Sequence, residues 1–128
     1  MVKTSLLNGS NLAYIGDAYY ELRVRLFLIG KGITKDKELK QESVKYVSAN
    51  SHFEIYEKIK EHFNETEQKI FLRGRNGAPS SHRKNLDRAK YVVSTGLEAV
   101  IGYLYLEKDF ERLDYLFDLI FGKEENKW

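Results

Sequence analysis

The sequence contains no cysteine, only one proline and no long apolar run, and each shortage excludes a class of protein. Without cysteine the chain has no disulfide, thiol nucleophile, zinc ribbon or iron–sulfur cluster, which fits a reducing compartment; we expect the cytoplasm. No apolar run approaches the roughly 20 residues of a membrane span, and the N-terminus lacks the apolar centre of a signal peptide. We therefore expect a soluble protein without a membrane partner.

The chain also lacks a strong excess of charge of one sign. Its 21 Lys and Arg residues oppose 19 Asp and Glu residues, which leaves a net charge of +2. A chain with this balance is not a global polycation, so any signal for a nucleic-acid partner has to be local. The 128 residues, 42% of them hydrophobic, match one ordinary globular domain, and we expect residues 1–128 to form a single domain.

The hydrophobic pattern predicts an all-α fold, a single helical bundle. Apolar residues recur at intervals of three and four, and the alternation that is typical of strands is scarce. Six helices are predicted from capping residues and glycines. The first helix runs from Asn8 or Ser10 to Gly30, the second follows Thr34, and the third begins at Ser51 with Glu54. The fourth begins at Asn64 with Glu67 and breaks at Gly74. A long fifth helix begins near Leu86, and the last helix ends before Gly122.

Two carboxylates stand alone in the most apolar helices. Asp17 is the only charged residue of segment 4–20, and Glu98 is the only one of segment 91–106. These helices are expected to pack against each other at the centre of the bundle, where an isolated ionised carboxylate costs several kcal/mol unless it is paired or metal-bound. Small residues that allow close helix packing flank both acids: Gly16, Ala18, Gly96 and Ala99.

Two interpretations of this pattern remain open. In the first, each acid is satisfied by an arginine such as Arg23 or Arg25, or lies on a narrow wet face. In the second, the two carboxylates face each other and bind one hard divalent cation, Mg²⁺ or Mn²⁺. The second interpretation also accounts for the glycines, since Gly costs about 1 kcal/mol relative to Ala inside a helix.

Other chemistries have weaker support. The three histidines, His52, His62 and His82, lie in polar contexts without metal-ligand spacing, and we expect ordinary surface or loop residues. Glu54 and Glu57 have the ExxE spacing of an all-α nucleoside-triphosphate pyrophosphohydrolase. They sit in a strongly charged amphipathic segment, so we expect a solvated face.

Positive charge is concentrated between residues 72 and 90. This segment has one acid, Asp87, against six basic residues: Arg73, Arg75, Arg83, Lys84, Arg88 and Lys90. A charge run alone is more often a solvated loop, but this one leads into the helix that carries Glu98. A phosphodiester substrate needs such a basic surface beside a metal centre. The candidate phosphate-binding residues are Arg73, Arg75, Arg83 and Lys84, and Asn76 and Ser80 could add hydrogen bonds to the sugar or phosphate of the substrate.

These motifs together resemble one family. The segments LAYIGDA (12–18) and STGLEAVIGYLYLEK (94–108), with KQESVKYVSANSHFEI (40–55) and RGRN (73–76), resemble the catalytic domain of ribonuclease III. The likeness is specifically to its small Mini-III branch, which lacks the double-stranded-RNA-binding domain. It extends over nearly the whole chain. The resemblance implies that residues 1–128 are the catalytic domain alone.

The resemblance also assigns roles. By position, Asp17 matches the aspartate of the family's signature helix and Glu98 matches the glutamate of its second acidic motif; both are the expected catalytic and metal-binding residues. Longer members of the family have a further glutamate and a further aspartate where this chain has Ala13 and Thr95. The Mini-III branch shares this loss. With two protein carboxylates, most of the shell of a cation must be water and RNA oxygen.

The expected function is therefore a Mg²⁺-dependent homodimeric endoribonuclease that cuts double-stranded RNA to 5′-phosphate and 3′-hydroxyl ends. In bacteria the resemblance implies maturation of the large-subunit (23S) ribosomal RNA precursor, and the helix around Tyr19 and Tyr20 is the expected dimer contact. The alternative is a non-catalytic ribonuclease III-like protein that binds structured RNA or acts as a scaffold. Retention of both Asp17 and Glu98 in apolar helices favours the enzyme.

Overall fold

The structure, a computed structural model, is an all-α bundle and describes residues 2–79, 87–123 and 125. Two 3₁₀ turns, Thr4–Leu6 and Lys60–His62, accompany the helices. The helices are α1 (Gly9–Gly30), α2 (Asp36–Val47), α3 (Ala49–Ile59), α4 (Glu65–Asn76), α5 (Arg88–Leu106) and α6 (Phe110–Phe121). The described ranges contain no strand, which confirms the predicted fold class.

Helix α5 lies at the centre of the bundle. Its segment 94–102 is buried at every position except Glu98, which is partly buried. Its most extensive contact is with α1, followed by α4 and α3. The two helices that carry the isolated acids therefore do pack against each other, as their apolar sequences predict. None of the helices in the described ranges is long and apolar enough to span a membrane.

Of the four N-cap residues that the sequence predicted, two are confirmed by the structure. Asn8 caps α1, and the Asn64–Glu67 capping box opens α4 with both reciprocal hydrogen bonds. The other two predictions are wrong. Thr34 lies before the cap of α2, which is Lys35, and Ser51 lies inside α3. Ser48 Oγ accepts from the Ser51 backbone N–H, so the true cap is one turn earlier, where the backbone is still extended.

The predicted break of α4 at Gly74 is also wrong. The helix continues to Asn76, and Gly77 stands at its C-cap. A Cβ at Gly74 would lie 2.6 Å from the Ala99 Cβ and 3.0 Å from the Gly96 Cα. Gly74 therefore serves close packing of α4 on α5 rather than helix termination, and this contact offsets the intrinsic cost of glycine inside a helix.

An ion pair holds α6 to α4. Arg112 donates from Nε to Glu67 Oε2 at 2.7 Å, donates from Nη2 to Glu67 Oε1 at 2.8 Å, and also donates to the carbonyl of His62. The Glu67 side chain is only 1% exposed, so its charge depends on this bidentate partner. The bonds raise the pKa of the Arg112 guanidinium further above its ordinary range.

Candidate active site

The axes of α1 and α5 come closest at two glycines. A Cβ at Gly16 would overlap the carbonyl oxygen of Glu98 and lie 2.6 Å from its carbonyl carbon. A Cβ at Gly102 would overlap the carbonyl oxygen of Leu12 and lie 2.9 Å from the Gly16 nitrogen. Only residues without a side chain allow this backbone-to-backbone packing. The contact sets α1 against the turn of α5 that carries Glu98.

This crossing brings Asp17 and Glu98 together. The two side chains lie close enough to interact, and two carboxyl groups can hydrogen-bond only when one of them carries a proton, because ionised carboxylates offer acceptors only. The pKa of Glu98 is raised to about 9, first by burial, then by the hydrogen bond to Asp17, and then by the charge of Asp17. Glu98 is therefore the protonated partner at neutral pH when no cation is present. A pair of this kind is typical of a functional site.

The two acids differ in accessibility. Asp17 is exposed and Glu98 is partly buried, so the wet-face position that the sequence left open holds for Asp17. Helix α1 has an exposed face as well as a buried one, and Asp17 lies on the exposed side. The pair is thus open to solvent from the side of α1, as a site for a large substrate has to be.

The arginine alternative is not what the structure shows. Arg23 donates to Asp114 at 3.0 Å and to the hydroxyl of Tyr19, and Arg25 pairs with Glu21 at 3.0 Å along the same helix. Both arginines are engaged by other side chains. The isolated acids contact each other instead.

Among the described residues, a cation at this site would find two carboxylate ligands, Asp17 and Glu98. No group of three or more His, Asp or Glu side chains that could hold a metal occurs among the described residues. Thr95, which stands where longer relatives have an acid, is buried and donates to the carbonyl of Tyr91 at 3.0 Å. Ala13, at the other such position, is 6% exposed and apolar. Neither residue adds a ligand.

The ExxE residues do not form a second acidic site. Glu54 and Glu57 are both exposed on α3, and Glu57 accepts a hydrogen bond from Lys60 at 2.7 Å. This confirms the predicted solvated face. The pyrophosphohydrolase alternative therefore lacks the inward-facing acid cluster that it requires.

The basic candidates divide into described and undescribed residues. Arg73, Arg75 and Asn76 form the exposed last turn of α4. Arg73 donates to the carbonyl of Leu7, and its own carbonyl lies against Gly9, so this turn packs on the start of α1, roughly 12 Å along the helix axis from Asp17. Three further candidates, Ser80, Arg83 and Lys84, lie outside the described residues.

Within the basic segment, the described residues up to 79 contact the described residues from 87 onward. Arg88, at the start of α5, donates to the carbonyl of Pro79 at 2.8 Å and to that of Ala78 at 3.5 Å. Asp87 caps the same helix through the Ala89 backbone N–H. These contacts hold residues 78 and 79 beside the start of α5.

One residue near the acids was missed by sequence reasoning. His52 is 2% exposed, whereas its polar neighbours in the sequence predicted a surface position. Burial lowers its pKa to about 4, and Asp17 acts in the opposite direction, so the carboxylate is near enough to influence the imidazole. His62 is exposed, as predicted, and His82 lies outside the described residues. The helical spacing of His52 with Ile55 and Ile59, both on the inner face of α3, was the available signal.

Comparisons with known proteins agree with this geometry. The family model described as "Ribonuclease III domain" matches residues 10–109. A Mini-ribonuclease 3 of Streptococcus pneumoniae is 41% identical over 98% of this chain and 99% of its own length. A Mini-ribonuclease 3 of Staphylococcus aureus is 44% identical over 90% of this chain and 87% of its own. An X-ray structure of a Fusobacterium nucleatum protein superposes with a TM-score of 0.83 at 28% identity, covering 93% of this chain and 95% of that one. With both acids at the crossing of its two central helices, the chain belongs to the ribonuclease III family, within its Mini-ribonuclease 3 group.

Proposed function

We propose that this chain is a Mg²⁺-dependent endoribonuclease that hydrolyses double-stranded RNA at the Asp17–Glu98 pair. Family membership gives the reaction class, an endoribonuclease. The observation that carries the assignment of the site is that the close crossing of α1 and α5 at Gly16 brings together two acids that are far apart in sequence and isolated among apolar residues. Mn²⁺ is the expected substitute for Mg²⁺, since both are hard cations that take carboxylate and water ligands.

The donor set fits a hard divalent cation. Mg²⁺ commonly binds through one or two carboxylates and keeps several waters, and this pair supplies two adjacent carboxylates with one side open to solvent. Asp17 and Glu98 would hold the ion. A bound Mg²⁺ lowers the pKa of a water ligand and neutralises charge on the scissile phosphate.

The chain's own residues determine when the pair can bind a cation. With its pKa raised to about 9, Glu98 would have to lose a proton before both carboxylates could serve as ligands. This competition would weaken metal affinity in the absence of substrate. Asp17 and Glu98 would hold the ion from one side, and RNA oxygens would supply further ligands, so metal binding would be coupled to substrate binding.

The basic turn of α4 supports RNA as the substrate. Arg73, Arg75 and Asn76 are exposed, and they belong to a helix that packs against the same two helices that carry the acids. We place RNA phosphates and 2′-hydroxyls on this turn, with Arg83 and Lys84 as further contacts. Side chains cannot read the deep, narrow major groove of A-form RNA, so recognition is by shape and backbone. Affinity should therefore fall steeply with salt.

The exposed apolar face of α1 supports the proposal of a homodimer. Tyr14 is 81% exposed, and Leu22 and Ile29 are each 50% exposed on the same face of the helix. A two-fold dimer through this face would supply two sites for the two strands of a duplex. Tyr20, which the sequence placed at the dimer contact, is 1% exposed in the core and unable to touch a second copy.

The biological setting of the proposal is the maturation of the 23S ribosomal RNA precursor in the cytoplasm, by residues 1–128 acting as one catalytic domain. The expected products carry 5′-phosphate and 3′-hydroxyl ends. The test uses end-labelled duplex RNA and a structured ribosomal RNA precursor, incubated with Mg²⁺, Mn²⁺ or EDTA. Asp17→Asn and Glu98→Gln are assayed for binding and for cutting. Glu54→Gln, which neutralises an exposed acid on α3, is the matched control.

The expected result is metal-dependent cutting that both active-site variants abolish while they still bind RNA, and that the control retains. Binding without cutting by the unaltered protein in both metals would refute the enzyme. That outcome favours a non-catalytic RNA-binding or scaffold protein, with Ala13 and Thr95 as the traces of a lost site.

A further inference from the structure

A buried histidine lies between three helices beside the acid pair. His52 is on α3, and its imidazole contacts both helices that carry the acids. Its Nδ1 lies 2.6 Å from the hydroxyl of Ser94 on α5, and its ring packs edge-on against Tyr20 of α1 with centroids 4.6 Å apart. Within ranges 2–79 and 87–123, it is one of two titratable acid or imidazole side chains among the most deeply buried residues, and the other, Glu67, has a bidentate partner.

The two contacts of His52 fall on the turns that hold the acids. Ser94 precedes Glu98 by one turn of α5, and Tyr20 follows Asp17 by about one turn of α1, so each contact of His52 lies one turn from an acid. Tyr20 is itself fixed, because its hydroxyl donates to the carbonyl of Tyr46 at 2.8 Å. The imidazole therefore links the acid-bearing turn of α1 to that of α5 through the core.

A polar side chain at position 52 is less favourable for the stability of the fold than an apolar one. In the described part of the chain, Nε2 of His52 is buried without a hydrogen-bond partner. An unsatisfied buried polar atom costs free energy that an apolar side chain of similar shape avoids. Ser94 has an alternative partner as well, since a helical serine can bond to the carbonyl one turn earlier. Stability alone would favour an apolar residue at position 52.

We propose that His52 is a positioning residue that sets the separation of Asp17 and Glu98 through its hydrogen bond to Ser94 and its contact with Tyr20. The inference rests on the proposed function, because it assigns His52 a role in the geometry of the same acid pair. A displacement of about 1 Å at a catalytic pair lowers turnover by up to about 100-fold, so a small change at His52 has a measurable effect. His52 touches neither RNA nor the reacting phosphate in this role.

The test compares two substitutions that differ mainly in one hydrogen bond. In His52→Asn a polar side-chain atom occupies the place of Nδ1 and can bond to Ser94. In His52→Leu a methyl group occupies that place. Ser94→Ala removes the same bond from the other side, and His62→Leu, at an exposed histidine, is the control. For each variant the kcat and KM for duplex RNA, the unfolding temperature, and the affinity for Mn²⁺ by electron paramagnetic resonance are measured. Asp17→Asn serves as the blank for Mn²⁺.

We expect His52→Leu and Ser94→Ala to lose about tenfold or more in kcat, with KM within about twofold. The unfolding temperature should be unchanged or higher in His52→Leu, and lower in Ser94→Ala, which leaves the buried Nδ1 of His52 without its partner. Mn²⁺ affinity should fall in the same two variants. His52→Asn should retain kcat and Mn²⁺ affinity within about threefold. Retention of both in the Asn variant together with their loss in the Leu variant is a result that a merely structural role would not produce.

Two results overturn the inference. In one, His52→Leu cuts RNA and binds Mn²⁺ as the unaltered protein does. In the other, the Asn and Leu variants lose activity equally, in proportion to their loss of unfolding temperature. If the unaltered protein binds Mn²⁺ through Asp17 but cuts no RNA, the proposed function fails, and the Mn²⁺ affinities of the two variants still decide the role of His52. If it neither binds Mn²⁺ nor cuts RNA, both are wrong.

Discussion

The substitution Gly16→Ala tests the helix crossing on which the site depends. The added Cβ would overlap the Glu98 carbonyl oxygen and lie 2.6 Å from its carbonyl carbon, where ordinary contacts begin at 3.4 Å. The obstacle is backbone, so it cannot rotate aside, and α1 and α5 must move apart. Overpacking of this kind costs about 3 kcal/mol, the upper part of its usual range. In a chain of this length that corresponds to a fall of about 10 °C in unfolding temperature.

The same separation moves Asp17 away from Glu98, so the predicted loss of activity exceeds the loss of stability. We expect kcat to fall by about 100-fold at a temperature where the variant remains folded. The assays are thermal unfolding by circular dichroism and single-turnover cleavage of duplex RNA. Gly30→Ala, at the exposed end of the same helix, is the control, and its unfolding temperature should be unchanged or slightly higher. A Gly16→Ala protein that unfolds and cuts like the unaltered one would refute the close crossing.

Charged groups give three further predictions. In EDTA, the unfolding temperature should fall as pH rises from about 5 towards 9. The reason is that Glu98 in the folded protein, with its pKa raised to about 9, keeps a proton that the unfolded chain has lost. The variant Glu98→Gln should flatten this decline. Arg112→Met should cost about 3 kcal/mol in urea unfolding, because it leaves the 1% exposed Glu67 charged and unpaired, and a second change, Glu67→Gln, should restore most of the loss. Arg73→Ala and Arg75→Ala should weaken RNA binding in fluorescence anisotropy, and the salt slope should fall by about 0.9 for each RNA phosphate that the variant no longer binds.

Each of these predictions has a contradicting outcome. An unaltered pH profile in Glu98→Gln would mean that Glu98 does not hold the raised pKa. An Arg112→Met protein as stable as the parent would show that Glu67 finds another partner or becomes neutral. For RNA binding, Lys45→Ala is the control, because Lys45 lies on α2 and pairs with Glu42 at 3.0 Å. Equal salt slopes in this control and in the α4 variants would remove the basic turn from the RNA interface.

Helix boundaries show how local signals succeed and fail. The Asn64–Glu67 capping box and the last helix, which ends before Gly122, agree with the sequence because the groups that fix them lie within one turn. Gly74 misled the prediction of a helix end. The reason for that glycine is a contact with α5, and such a contact leaves no mark in the local pattern.

The sequence by itself determined the fold class and singled out the two acids proposed for the site, because helical periodicity and an isolated charge in an apolar segment are local properties. Tertiary structure alone decided that the two acids lie next to each other, that Asp17 faces solvent, and that His52 lies in the core beside them. Each of these facts depends on how close α1, α3 and α5 approach one another. Between α1 and α5 that distance is set by backbone contact at Gly16 and Gly102, and burial and pKa follow from it.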